Sequence, residues 1–237
     1  MSVYKLDIEK AVSFYWHTRS SQANKQASNG KFDQGSRSAV TGGAQMNGFI
    51  SLFRETILRA GIPDDSIFDK QNLEIPGFFR PTKNWDLLVV HKNELLVAIK
   101  AKSQAGPSFG NNFNNRSEEA LGTALDLWTA FREQAYHSSQ APFVGYFFML
   151  EDCDRSREAV VVREHHFPVR EEFIDASYMK RYEILCRKLV LERQYTATAF
   201  ITSDSTTGIE GKYSTPAPDV SAERFLKQLS SHIRASI

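Results

Sequence analysis

The run WDLLVVHKNELLVAIKAK, residues 85–102, decides how the chain folds. Two β-rich stretches, Trp85 to His91 and Leu95 to Lys102, flank Lys92, Asn93 and Glu94, which read as a hairpin loop. Centring the loop on Asn93 sets Asp86 opposite Lys100, with Lys102 one diagonal step further on the same face. Leu88, Val90, Leu96 and Ala98 share that face, while Trp85, Leu87, Val89, Leu95, Val97 and Ile99 fill the other. With both faces apolar, the pair belongs inside a covered sheet. Three charges then gather at its open end, on ground where charge is tolerated only when paired or when it binds something.

Upstream, Met46, Phe49, Ile50, Phe53 and Ile57 mark one face of a helix that Gly61 and Pro63 stop. NLEIPGFF (72–79) reads as a short strand bent at Pro76-Gly77. Downstream, Asn115 with Glu118 resembles a capping box, followed by Leu121, Ala124, Leu125, Trp128 and Phe131 at helical spacing. Phe143 to Leu150 is a continuous apolar run, as expected of a buried strand. A right-handed crossover then makes part of the sheet parallel. Residues 177–193 predict another helix (Tyr182, Leu185, Cys186, Leu189), Tyr195 to Thr202 a strand, and Ser221 to Ile233 a last helix. The fold class is α/β: one domain over 1–237, a mixed central sheet flanked by helices. Its core spans about 46–151 and a C-terminal elaboration about 163–237. Residues 19–45 read as a loop carrying Arg19, Lys25, Lys31 and Arg37, either solvated or ordering on an anionic partner.

Composition narrows the class. With 41% hydrophobic residues over 237 positions and a formal net charge of +1, the chain is neither disordered nor fibrous. The run at 143–150 is too short to span a bilayer at about 20 residues. MSVYKLDIEK lacks the plan of a signal peptide, and two cysteines are too few for a disulfide scaffold. The expectation is a cytosolic-type protein without a membrane partner. His165-His166 has no acids at ligand spacing, and Cys153 and Cys186 read as inert thiols.

The hairpin charges admit two readings. One is a cross-strand Asp86–Lys100 ion pair with Lys102 reaching solvent. The other is a phosphodiesterase site: an Asp, about a dozen residues, then acid–X–Lys. There, two carboxylates and the carbonyl between them hold Mg²⁺ while the lysine positions or deprotonates water.

PTKNWDLLVV (81–90) with AKSQAGPSFGNNFNNRSEEALGTALDLWTAF (101–131) resembles the XhoI family of type II restriction endonucleases. Further likeness lies in RSSQ (19–22), QGSRSAVTGGAQMNGF (34–49), MLEDCD (149–154) and ASYMKRYEILCRKLVLER (176–193). The resemblance implies a restriction-endonuclease-like core (αβββαβ) of the PD-(D/E)XK type with helical and loop elaborations. It further implies a homodimer in a prokaryotic cytoplasm, cutting duplex DNA at CTCGAG with Mg²⁺ and leaving 5′-phosphates. A cognate methyltransferase would act on the same site without binding this chain. Asp86 and Lys102 match the family's catalytic pair, with Ala101 supplying the intervening carbonyl.

The family's E-x-K segment is here Lys100-Ala101-Lys102. Against a dication about 6 Å away at an effective dielectric of about 20, that two-charge swing costs on the order of 10 kcal/mol. A millimolar Mg²⁺ site is worth only about 4 kcal/mol. Either the site is disabled, or the chain binds without cutting, or the acid has moved to Glu118, Glu119 or Glu74. Within GPSFGNNFNNR, Asn111, Asn112, Asn114, Asn115 and Arg116 are candidates for base contacts, since Asn pairs with adenine and Arg with guanine. The bland alternative is that these asparagines shape turns, Asn115 as the helix cap. Gln104 is a candidate water or phosphate partner; Lys83, Arg80 and Arg37 are candidates for the DNA backbone.

Overall fold

The computed structural model describes residues 3–28, 43–137 and 139–237. The hairpin forms as strands β4 (Leu87–His91) and β5 (Glu94–Gln104). Lys92 (φ 50°) and Asn93 (φ 67°) both lie in the left-handed region, the demand of a two-residue turn between twisted strands. His91 therefore pairs with Glu94, which belongs to the strand rather than to the loop. A register shift between Val89 and Val90 inserts one extra residue on β5. Leu95 and Leu96 thereby exchange the faces that strict alternation assigns them. Leu95 packs with Leu88 and Ala98, Leu96 with Val89 and Val97. Trp85, ahead of the strand, also lies on the Leu88 side. Beyond the bulge the predicted register holds, with Leu88 on Ala98 and Leu87 on Ile99.

Around this hairpin runs a five-stranded mixed sheet. β1 (Ile67–Phe68) flanks β4 antiparallel, while β6 (Phe143–Glu151) and β7 (Ala197–Ser203) extend β5 in parallel. β2 (Glu74–Pro76) and β3 (Thr82–Asn84) form a separate antiparallel pair. One sheet face packs on α1 (Val3–Ser28), α2 (Asn47–Ala60) and α6 (Ala222–Ser236). The other packs on α3 (Phe109–Arg132) and α5 (Tyr178–Leu191). α4 (Asp154–Arg157) is a single turn after β6. Covered on both sides, β6 needs an apolar residue at nearly every position, which is why its sequence does not alternate.

Three expectations are corrected. Residues 19–28 are not loop: they continue α1, whose Ile8, Ala11, Val12, Tyr15 and Trp16 are buried at helical spacing. Nothing between Arg19 and Ser28 breaks a helix once that anchored half has nucleated it. Residues 29–42, and Arg37 with them, lie outside the described residues. Second, α3 begins at Phe109 with Ser108 as its N-cap, so Asn115 sits inside the helix and caps nothing. Phe109, packed on the core, and the partly buried Phe113 one turn on tie down this early start. Third, Leu121 and Leu125 are exposed, and Ala120, Thr123, Ala124, Leu127 and Ala130 form the buried face. Those small side chains let α3 approach a surface already filled by Tyr146, Phe148 and Tyr195.

No described helix is long and apolar enough to cross a membrane. Gly145 on β6 shows how close the α6 layer comes: a Cβ there would stand 2.8 Å from Phe225 and 3.0 Å from Phe143. Gly145→Ala is expected to destabilise the fold by about 1–3 kcal/mol through overpacking, measured as a fall in the urea midpoint.

Candidate active site

Asp86 is held at the mouth of the hairpin by its own backbone, whose N–H donates to Ile99 O at 3.1 Å. Lys100 reaches across the strands and donates to Asp86 Oδ1 at 3.1 Å, while the Ala101 N–H donates to Oδ2 at 2.8 Å. Both carboxylate oxygens are thus engaged by donors. Lys100 is 6% exposed, so this is a nearly buried ammonium with, among the described residues, one anionic partner. Burial pulls its pKa below the lysine range, and Asp86 opposes that fall; Lys102 and Lys83 add to it by like charge.

Lys102, two residues on, points toward α3. Its Nζ lies 2.9 Å from Glu119 Oε1, and Arg116, one turn earlier on α3, donates to Glu119 Oε2 at 2.6 Å. Burial alone would raise the Glu119 pKa, but Lys102 and Arg116 outweigh it and hold the carboxyl at about 2. Lys102 does not simply reach solvent, as the ion-pair reading supposed: the four hairpin and helix charges form two adjacent pairs, with Arg116 in excess. This surplus favours an anionic ligand.

Asp86, Ala101, Lys102 and Arg116 line one cleft of about 300 Å³. Its far wall comes from Gly43, Gln45, Met46, Asn47 and Ile50, none of which the sequence reading singled out as site residues. The signal available there was the QGSRSAVTGGAQMNGF run itself, which shares its family likeness with the hairpin.

Glu118 points out from α3 and is exposed, as is Glu74 on β2; of the three candidate replacement acids, only Glu119 meets the hairpin lysines. One helical position separates Glu118 from Glu119, about 100° of rotation, and the buried stripe of α3 selects the second. Gln104 is buried away from that cleft lining: its Oε1 accepts from the Tyr182 hydroxyl and its Nε2 donates to Ser108 O at 3.3 Å, joining β5 to α3 and α5. Asn111, Asn114 and Asn115 are exposed on α3, with Asn112 half-buried. Lys83 is half-buried on β3, and Arg80 is tied to buried Asp126 at 3.0 Å.

A family model described as Restriction endonuclease XhoI matches residues 25–215. The chain belongs to the XhoI restriction endonuclease family. It is similar to the type II restriction enzyme BstVI of Geobacillus stearothermophilus, 50% identical over 89% of this chain and 95% of that protein. It is 46% identical to the type II restriction enzyme XhoI of Xanthomonas vasicola, over 76% of this chain and 73% of that enzyme. The type II restriction enzyme AbrI of Azospirillum brasilense is 44% identical over 69% of this chain and 74% of its own. No solved structure matches the chain.

For a member of this family, the Glu119 carboxylate also sets an acid limit. Its folded pKa of about 2 lies below the ordinary 4.5, so its stabilisation is complete above about pH 4.5 and is lost as pH falls toward 2. Glu119→Gln is therefore expected to be less stable than the unaltered chain at pH 7. The gap should close as pH is lowered from 5 to 2, measured by urea unfolding at each pH.

Proposed function

We propose that the chain is a type II restriction endonuclease directed to the duplex palindrome CTCGAG, in which Lys100 holds back the cutting step. The reading takes residues 1–237 as one restriction-endonuclease unit with an αβββαβ core, acting as a homodimer because its target is two-fold symmetric. The protein would work in a prokaryotic cytoplasm, with a methyltransferase protecting the same sequence. Family membership and the relatives' names support the nuclease class. Lys102 and Arg116, which line the cleft with Asp86 and Asp69, support a phosphodiester as its ligand.

The single observation that carries the second half is the state of Asp86. A hard dication such as Mg²⁺ takes about six oxygen ligands. Here, one Asp86 oxygen is turned to an ammonium and the other to a backbone N–H. Glu119 is likewise spent on Lys102 and Arg116. The residues present do not fit Mg²⁺, so the family's metal-assisted step has no seat while position 100 is a lysine. Recognition does not need that seat. Arg116, Lys83 and the α3 asparagines supply donors for phosphate and base contacts.

The expected behaviour is specific binding to CTCGAG duplex with little dependence on Mg²⁺, and weak cleavage. Lys100→Glu should raise Mg²⁺-dependent cleavage by on the order of a hundredfold or more, since a restored metal site lowers the barrier by several kcal/mol. Gel-shift and cleavage assays on the same duplex, with and without Mg²⁺, measure both. Rapid cutting by the unaltered chain with no gain from Lys100→Glu would overturn the blocked-site account. Absence of any CTCGAG preference in either protein would overturn the target.

A further inference from the structure

Helix α3 turns one face to the sheet and leaves its outer face uncovered among the described residues. On that face Glu118, Leu121, Leu125, Trp128 and Arg132 recur at alternating steps of three and four, the spacing of a coiled-coil seam. Leu121 and Leu125, at its centre, are 48% and 49% exposed. One exposed leucine is ordinary, but a seam flanked on both sides by further apolar surface marks an interaction site.

On one flank stand Phe78 and Phe79, edge to face at 4.9 Å and each more than half exposed. Their loop is held in place: buried Asp126 of α3 accepts the N–H groups of both, at 2.9 and 2.8 Å, and pairs with Arg80. On the other flank, Leu125, Trp128 and Val190 line a groove of about 570 Å³ between α3 and α5. Trp128 is fixed there through its Nε1, which donates to Gln194 O at 2.9 Å.

The ends of the seam say what covers it. Glu118 and Arg132 are exposed and enter no ion pair among the described residues, Arg132 reaching Thr129 one turn back on its own helix. About 21 Å of helix separates them, too far to meet within one chain. They lie at equal distances on either side of Leu125. A two-fold axis beside Leu125, perpendicular to α3, therefore brings Glu118 of each copy to Arg132 of the other. The same operation sets Leu125 on Leu125 and brings each Leu121 toward the groove beside the other copy's Trp128. Like flank meets like flank, so the Phe78–Phe79 tips come together as well. A surface that complements itself in charge and shape suits an isologous contact.

We propose that two copies of the chain associate through this face, α3 packing antiparallel on α3 about Leu125. The inference rests on the homodimer reading and deepens it by naming the surface. Arg116 and Glu119 of the cleft belong to the same helix, so the contact fixes the two clefts relative to each other.

Sedimentation of the full chain over a range of concentrations, with and without CTCGAG duplex, is the test. The unaltered chain is expected to be a dimer. Leu125→Asp sets two carboxylates against each other at the axis and should weaken the pair by about a hundredfold or more. Glu118→Arg and Arg132→Glu should each weaken it by about tenfold, because each makes two like-charge contacts per dimer. Combining the two exchanges should recover most of that loss. Both positions are exposed, so the exchanges spare the core, and their separation within one chain leaves contact between copies as the route of rescue. The surface is overturned if Leu125→Asp and both single exchanges leave the dimer unweakened, or if the double exchange pairs no better than the worse single one; the homodimer reading then stands. A chain that is monomeric both alone and on the duplex overturns that reading and the surface together.

Discussion

An ammonium placed between two covered sheet faces must be paired or it will not stay charged, and Lys100 meets that demand through Asp86, its one carboxylate partner among the described residues. Desolvating such a pair offsets most of its Coulomb attraction, so the contact adds little net stability. Its importance lies in what it forbids. Removing one member leaves the other uncompensated in a poorly solvated place, and the pair keeps Asp86 turned toward β5. Whatever binds over the hairpin mouth meets an aspartate whose charge is already neutralised.

The same hairpin places the rest of the cleft. β5 is long enough, at 11 residues, to carry Lys102 beyond the end of β4, where α3 returns alongside the sheet. That return brings Arg116 and Glu119 over Lys102 on successive turns. The alanines of α3 keep the helix close, so the two ion pairs stand side by side and not across a water-filled gap. From the opposite layer, the entry to α2 supplies Gln45. The cleft is thus assembled from both faces of the sheet at one end of its longest antiparallel strand.

Electrostatics and family membership point the same way. Formal net charge over the chain is nearly balanced, yet Lys83, Lys100, Lys102 and Arg116 cluster about Asp86 and Glu119, while Asp69 on the same cleft is paired with Arg54 at 3.6 Å. Local surplus, not overall charge, is what a phosphodiester senses within a Debye length of about 8–10 Å.

Local sequence determined the hairpin, the facing of Asp86 and Lys100, helix α2 and the parallel strand β6, because each follows from side-chain period and turn chemistry over a few residues. It also held the family likeness. Tertiary structure decided what depends on packing against distant chain. The bulge that exchanges Leu95 and Leu96 answers to two separate cores. The early start of α3 answers to Phe109 and Phe113 meeting α5, and the choice of Glu119 over Glu118 answers to which stripe of α3 is buried. Gln45 joined the cleft only when α2 docked on the sheet. No local pattern carries such information, because each outcome compares the burial of one surface with that of another formed by residues far away in the chain.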